Sequence, residues 1–287
     1  MRWRTGRRSQ NIEDRRGMRS SGRSRAFKGG GLGAIIIILV AMYFGVDPTL
    51  FLQGMQGGQT GQSPVSNKPL SAEEKELTQF VSVVLADTED TWKLLFKEMN
   101  SNYEEPRLVL FSGSVSSACG FAQAAMGPFY CPGDRKVYID LSFYNDLKHR
   151  FKAPGDFAQA YVIAHEVGHH IQTLLGVSER VQKAKRGLSQ TQANALSVRQ
   201  ELQADCLAGI WANHADRTRH VLEEGDVEEA LNAATAIGDD RLQKQSQGHV
   251  TPESFTHGSS EQRVRWFNTG LKTGQISSCD TFAARRL

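Results

Sequence analysis

The chain of 287 residues is long enough to bury a sizeable core, and its 39% hydrophobic and 23% charged residues are ordinary for a globular protein. Its formal net charge of +3 is unevenly distributed, since residues 1–28 hold nine arginines and one lysine against only Glu13 and Asp14. This basic run directly precedes an apolar segment, so we interpret it as a determinant of membrane topology and expect no nucleic-acid partner.

The apolar segment extends from Gly31 to Val46, with no charged residue before Asp47. It is short for a membrane-spanning helix, which needs about 20 apolar residues, but residues 50–52 can extend it. A buried core helix rarely follows a lead rich in Gly, Ser and Arg, and no A-x-A-like cleavage site follows the segment. We therefore expect an uncleaved transmembrane signal anchor at residues 31–52.

The excess of Lys and Arg before the anchor predicts its orientation. Residues 1–30 are expected to form a basic cytoplasmic segment. The rest of the chain is expected to lie in the periplasm or outside the cell, attached to the cytoplasmic membrane by a single pass. Residues 53–70 are rich in Gly, Gln and Ser, which predicts a flexible linker. Residues 71–287 then form the folded domain.

This domain contains four cysteines, at positions 119, 131, 206 and 279. An even number of cysteines in an exported domain predicts two disulfides, and we expect the pairs Cys119–Cys131 and Cys206–Cys279. Free buried thiols are the alternative. A four-thiolate zinc site is disfavoured because the chain has no C-x2-C spacing.

The first predicted element is an amphipathic helix over residues 71–99, where Ser71 and Glu74 have the spacing of a capping box. Two β-rich runs follow, PRLVLFSG at 106–113 and FYCPGDRKVYIDLSF at 129–143. The PGDR turn inside the second run predicts a β-hairpin.

A break at residues 154–155 precedes a predicted helix from Phe157 to about Leu175, with Asp156 as its cap. From Ser178 onward the sequence is predominantly helical. The predicted fold class is therefore α+β, with a small β-sheet, helices that flank it, and a mainly helical C-terminal half.

The stretch AHEVGHHI, residues 164–171, places three histidines and a glutamate on this helix. At 100° per residue His165 and His169 share a face, Glu166 lies on the adjoining face, and His170 points elsewhere. Two imidazoles one turn apart can bind one zinc ion, and the glutamate can take a proton from a water molecule in the open position of that ion. Polar groups on a helix that is apolar on most sides need such a partner, because their uncompensated burial costs several kcal/mol. We therefore predict two zinc ligands, a catalytic base and one structural histidine.

A third ligand is predicted on a second helix, in the stretch RQELQADCLAG. Glu201 and Asp205 are four residues apart and share a face at the edge of its apolar residues. Two histidines and a glutamate are a common set of zinc ligands, and the shorter Asp205 suits the role of accepting a ring N–H from a liganding histidine. A solvated acidic edge is the alternative.

Three stretches, HEVGH at 165–169, ELQAD at 201–205 and THGSSEQR at 256–263, resemble the H-E-x-x-H, E-x-x-A-D and His-to-Arg series of gluzincin peptidases. More closely, MGPFYCPGDRKVYIDLSFY, DFAQAYVIAHEVGHH and ELQADC resemble the bacterial neutral zinc metallopeptidases, the YpfJ-like group. The resemblance covers nearly the whole chain. It implies a zincin-like peptidase fold, with the third zinc ligand at Glu201 and an orienting carboxylate at Asp205. Unlike the gluzincin pattern, Gly rather than Pro follows His257.

The predicted activity is that of a membrane-anchored zinc metalloendopeptidase, in which zinc and Glu166 activate water for attack on a peptide bond. His257 or Tyr138 is expected to donate a hydrogen bond to the negatively charged intermediate. An extended protein or peptide substrate is expected to lie along the edge of the strand KVYIDL.

Two alternatives keep the metal. A catalytically silent, membrane-tethered scaffold or binding protein is disfavoured because Glu166 is intact. A structural zinc site is disfavoured because such sites are usually closed by four Cys or His ligands.

Overall fold

The computed structural model of the protein describes residues 1–17 and 70–287. Within these ranges, no helix is long and apolar enough to cross a lipid bilayer. The predicted anchor at residues 31–52, and nearly all of the linker predicted after it, lie outside the described residues.

Six β-strands and eight α-helices are formed by the residues that the structure describes, so the predicted α+β class is confirmed in a mainly helical form. The strands are β1 (Ile12–Asp14), β2 (Arg107–Phe111), β3 (Ser114–Ser117), β4 (Gly120–Gln123), β5 (Phe129–Cys131) and β6 (Lys136–Asp140). The helices are α1 (Ala72–Glu98), α2 (Ser142–His149), α3 (Asp156–Leu174), α4 (Val177–Ala184), α5 (Gln190–Arg219), α6 (Asp226–Ala236), α7 (Asp239–Gln247) and α8 (Ser260–Thr273).

The main sheet has the strand order β1-β2-β6-β5. Strands β1, β2 and β6 are parallel, and β5 is antiparallel to β6 as the other half of the predicted hairpin. The prediction that substrate lies along the edge of the strand KVYIDL was wrong. This strand is β6, which is an inner strand between β2 and β5. A second hairpin, β3–β4, was not predicted from the sequence.

The N-terminal residues are part of the folded unit. Residues 1–16 cluster with the C-terminal part of the chain, where β1 pairs with β2 in the register Ile12↔Leu108. Trp3 packs edge-on against Phe80 of α1, with 5.4 Å between the ring centroids. Sequence analysis assigned residues 1–30 to a separate basic segment. The structure instead places residues 1–16 in the same folded unit as residues 70–287.

Helix α3 runs through the centre of the unit, and most of its residues are buried. It begins at Asp156, one residue earlier than predicted, and Asp156 does not cap it. Instead, Glu229 of α6 accepts a hydrogen bond from the backbone N–H of Phe157, with Oε2 at 3.0 Å. The orphan donors at the start of this helix are thus satisfied in part from a distant element.

Both predicted disulfides are present. Cys119, in the turn between β3 and β4, is bonded to Cys131 of β5. Cys206 of α5 is bonded to Cys279 near the C-terminus. The first bond ties the smaller hairpin to the main sheet, and the second ties α5 to the segment after α8.

Candidate metal centre

Helices α3 and α5 approach each other closely at Gly168. A β-carbon at this position would lie 2.9 Å from the carbonyl oxygen of Ala204 and 3.1 Å from its α-carbon. Ala204 lies between Glu201 and Asp205 on α5. The missing side chain of Gly168 therefore allows the two acidic residues to reach the histidines of α3.

The structure brings His165, His169 and Glu201 together. Glu201 Oε2 lies 3.2 Å from His165 Nε2 and 3.4 Å from His169 Nε2. In a tetrahedral zinc site with metal–ligand bonds of about 2.0–2.1 Å, two ligand atoms are separated by about 3.3 Å. The spacing and the chemistry of these three donors fit a zinc ion with one position left for water or substrate.

The electrostatics of this cluster favour positive charge at its centre. Burial disfavours the protonated form of His165, but the carboxylates of Asp205 and Glu201 outweigh burial and raise its pKa to about 10. Burial would likewise raise the pKa of Glu201, yet His169 and His165 hold it well below the usual range. The carboxylate of Glu201 outweighs burial and raises the pKa of His169 as well, so both imidazoles lie in a negative potential. A bound cation would supply positive charge there.

Asp205 holds the ring of His165 from the side opposite Glu201. Its Oδ1 lies 2.8 Å from His165 Nδ1, which leaves Nε2 of the same ring directed towards Glu201. Asp205 has no exposed surface, and Arg263 of α8 binds it through two nitrogens, each 2.9 Å from a carboxylate oxygen. The pKa of Asp205 is lowered, because Arg263 and His165 outweigh its burial.

Gln172 has the equivalent task at His169. Its Oε1 accepts a hydrogen bond from His169 Nδ1 at 2.9 Å, so Nε2 of that ring is also directed to the centre. The Gln172 amide in turn donates to the carbonyl oxygen of Gln200 and to the side chain of Gln203, both on α5. Sequence analysis missed Gln172, although its position three residues after His169 on a buried helix was a usable signal.

Glu166 is 8% exposed and follows the ligand His165 directly on α3. Its negative charge contributes to the raised pKa of His169, which lies one turn further along the helix. This carboxylate is therefore close to the metal-ligand cluster without being one of its three members, as the helical spacing predicts.

His257 lies in the loop between α7 and α8, with 43% of its side chain exposed. Asp239 orients it by accepting the backbone N–H at 2.6 Å and lying 3.2 Å from Nδ1. Burial opposes protonation of His257, but Asp239 and the charge of Glu201 raise its pKa. His257 is thus near enough to the candidate ligand Glu201 for the charge of this carboxylate to affect its pKa.

Tyr138 is not brought to this site. Its side chain lies on the face of the main sheet that packs against β3 and β4, whereas the neighbouring Val137 and Ile139 belong to the core that includes α3. The hydroxyl donates to Asp134 at 2.7 Å, and the ring stacks on Phe129. The predicted role of Tyr138 in substrate binding is therefore not supported by its position.

His170 is structural, as predicted. It is fully buried, and its Nε2 donates to the carbonyl oxygen of Glu104 at 2.6 Å. Its Nδ1 lies 3.1 Å from the hydroxyl of Tyr130 on β5. These contacts connect α3 to the main sheet.

A second acidic cluster consists of Asp156, Asp226 and Glu229 at the start of α3. The α-ammonium group of Met1 lies 2.6 Å from Asp156 Oδ1 and 3.2 Å from Asp226 Oδ1. A cation of the chain itself therefore occupies this cluster, and we do not assign a metal to it.

The family described as "Putative neutral zinc metallopeptidase" matches residues 1–282 of this chain. The chain belongs to this family. Relatives of this chain align with it over most of their length. The "Uncharacterized protein YpfJ" of Escherichia coli K12 is 52% identical over 289 residues, covering 98% of this chain and 99% of the relative. The "Uncharacterized protein Rv2575" of Mycobacterium tuberculosis H37Rv is 40% identical over 266 residues, covering 86% of each chain. No solved structure shows a significant match.

Proposed function

We propose that the protein is a zinc-dependent metalloendopeptidase that uses His165, His169 and Glu201 as zinc ligands. The observation that carries this proposal is the spacing of the three donor atoms, with Glu201 Oε2 at 3.2 and 3.4 Å from the two Nε2 atoms. Glu166 beside this cluster supplies the base that a purely structural site does not need.

A zinc ion bound by these residues would polarise a peptide carbonyl and increase the acidity of a water molecule. Glu166 accepts the proton of the attacking water and passes it to the leaving amine. His257, whose pKa is raised by Asp239 and Glu201, donates to the negatively charged oxygen of the tetrahedral intermediate. Asp205 and Gln172 hold the two imidazoles so that their Nε2 atoms stay directed at the metal.

The proposed substrate is an unfolded or flexible segment of a protein. Strand β5 is the edge of the main sheet nearest to α3, since its Tyr130 contacts His170. An extended peptide can add to such an edge through backbone hydrogen bonds. We therefore propose the free edge of β5, in place of β6, as the substrate-binding strand.

We further propose that the enzyme acts outside the cytoplasm and that the apolar residues 31–52 attach it to the membrane. The pairs Cys119–Cys131 and Cys206–Cys279 support export, because disulfides persist in oxidising compartments. The absence of charge between Gly31 and Val46 supports membrane contact.

The rival function is a membrane-tethered scaffold that binds zinc without turnover. Purified protein incubated with an unfolded substrate such as casein distinguishes the two. The peptidase hydrolyses casein, loses this activity with a zinc chelator, and regains it when zinc is added. A His169→Ala preparation made in parallel controls for a contaminating protease, because it should remain inactive after zinc is added. Stoichiometric zinc binding without hydrolysis would support the scaffold instead.

A further inference from the structure

We propose that Tyr161 is a positioning residue of the metal centre, which acts on the ligand His165 through Asp205. The inference rests on the zinc site proposed above. Tyr161 lies one turn before His165 on α3 and has no exposed surface. Sequence analysis assigned no role to Tyr161.

Tyr161 and His165 share one carboxylate oxygen of Asp205. The hydroxyl of Tyr161 donates to Asp205 Oδ1 at 2.5 Å, and the same oxygen lies 2.8 Å from His165 Nδ1. Tyr161 therefore restrains Asp205 Oδ1, and this oxygen in turn orients the imidazole ring of His165. Partners of this kind orient metal-binding imidazoles and usually change metal affinity when they are removed.

Arg263 closes the network from the other side. Its Nη2 lies 3.1 Å from the Tyr161 hydroxyl oxygen and 2.9 Å from Asp205 Oδ1, so the hydroxyl accepts one hydrogen bond and donates another. Both Arg263 and Asp205 are almost completely buried. If the hydroxyl is removed, no solvent replaces it, and the guanidinium and the carboxylate each lose a partner. The carboxylate then holds His165 less firmly.

The ring of Tyr161 also packs edge-on against Phe267 of α8, with 5.4 Å between the centroids. A purely structural tyrosine would act through this packing. The substitution Tyr161→Phe keeps the ring and removes only the hydroxyl, so it separates the two roles.

The test is the zinc dissociation constant of the full-length protein, measured by competition with a coloured chelator. We expect Tyr161→Phe to weaken zinc binding about tenfold, in the range usual for partners of metal ligands. The matched control is Tyr144→Phe on α2. Tyr144 is 3% exposed, and its hydroxyl has no hydrogen-bond partner among the described residues. This variant should bind zinc like the wild type.

The same measurement in an Asp205→Asn background shows whether Tyr161 acts through Asp205. There we expect Tyr161→Phe to change the zinc affinity less than twofold, because the shared carboxylate is gone. An unchanged affinity of Tyr161→Phe in the wild-type background, or an equal loss in both backgrounds, overturns the inference. Undiminished zinc binding by Glu201→Gln would instead contradict the metal site itself.

A second inference rests on the pairing of β1 with β2. We infer that residues 1–16 and 70–287 lie on the same side of the membrane. Neighbouring strands of a sheet are about 4.8 Å apart, whereas the hydrocarbon core of a bilayer is about 30 Å thick. The register Ile12↔Leu108 therefore cannot form across a membrane. A single-pass anchor between residues 1–16 and 70–287 would place these two parts on opposite sides, so the inference disagrees with the single-pass topology expected from the sequence.

The charges of the N-terminal segment agree with this arrangement. Several of the arginines that suggested a cytoplasmic location form ion pairs within the folded unit. Arg4 pairs with Glu76 of α1, and Arg7 pairs with Glu89, which is 1% exposed. Their positive charge is partly neutralised in the folded protein, so it is a weaker guide to orientation than the sequence suggests.

Two variants, each with one added cysteine, test the inference in spheroplasts that produce the full-length protein. Arg4→Cys and Lys183→Cys place a thiol on exposed side chains, 73% and 64% exposed, while the native cysteines are in disulfides. A membrane-impermeant maleimide should label both variants in intact spheroplasts. If both variants are labelled only after lysis, residues 1–16 and 70–287 lie together in the cytoplasm. That result would support the inference and contradict export. Labelling of one variant alone in intact spheroplasts overturns the inference, with detergent-lysed samples as the reference for full reactivity.

Discussion

Gly168 of α3 faces Ala204 of α5 so closely that a β-carbon on the glycine would lie 2.9 Å from the carbonyl oxygen of Ala204. This contact sets the distance between the helix with the two histidines and the helix with the third ligand. The small residue in HEVGH is thus required by the packing of two helices, in addition to the metal-binding role proposed for the flanking histidines.

The first prediction concerns this contact. Gly168→Ala should separate the helices, weaken zinc binding at least tenfold, and lower the free energy of unfolding by about 1–3 kcal/mol. Gly6→Ala in the N-terminal segment is the control, because its β-carbon would lie 2.6 Å from Val83 Cγ1 of α1, on elements that carry none of the three candidate ligands. It should destabilise the apoprotein without a specific loss of zinc affinity. Equal zinc affinities of the two variants would contradict this role of Gly168.

The second prediction separates the two acidic residues of α5. Glu201→Gln should abolish tight zinc binding, because it removes the only negatively charged donor of the three. Asp205→Asn should retain zinc with an affinity lowered about 10- to 100-fold. Elemental analysis after dialysis against a weak chelator measures both. If Glu201→Gln keeps one zinc per chain and Asp205→Asn keeps none, the two roles are reversed.

The third prediction concerns the pH dependence of hydrolysis. Asp239 raises the pKa of His257, so the protonated form persists above the ordinary histidine value of 6.5. Activity that needs this proton falls as the pH rises through the raised pKa. Asp239→Asn lowers that pKa and should move the alkaline limb of the pH–rate profile to lower pH. An alkaline limb that stays at the same pH in Asp239→Asn would exclude His257 as the group responsible.

The fourth prediction concerns the N-terminal segment. Trp3 is 8% exposed and packs on Phe80, so Trp3→Ala should lower the free energy of unfolding by about 3 kcal/mol or more. Arg8→Ala, on an exposed side chain of the same segment, should change it by less than about 0.5 kcal/mol. Denaturant unfolding monitored by circular dichroism measures both. Equal stabilities of the two variants would mean that this segment does not pack as described.

The residues that the candidate metal site brings together could be predicted because their signals are local. The spacing of His165, Glu166 and His169 within one helix requires only helical geometry. The prediction that Glu201 faces this helix depended on a second helical motif, in which two acidic residues stand at i and i+4. The capping box of α1 and the hairpin of β5 and β6 also depend on residues close together in the sequence.

What sequence analysis missed depends on distant contacts. Arg263 and Tyr161 meet Asp205 from two other helices, and no periodicity reports such a network. Strand β1 has three residues inside a basic stretch, and its partner β2 lies more than 90 residues away. Tyr138 was expected to donate to the negatively charged intermediate, but alternate residues of a strand point to opposite faces and the sequence does not tell which face meets α3.

Glu166 is proposed to be the base of a zinc peptidase, and a comparison of wild type and Glu166→Gln for both zinc content and casein hydrolysis tests this role most directly. We expect each protein to hold one zinc per chain, while the variant hydrolyses casein about 10²- to 10⁴-fold more slowly, the usual contribution of a general base. Equal hydrolysis rates of the two zinc-loaded proteins would contradict the account.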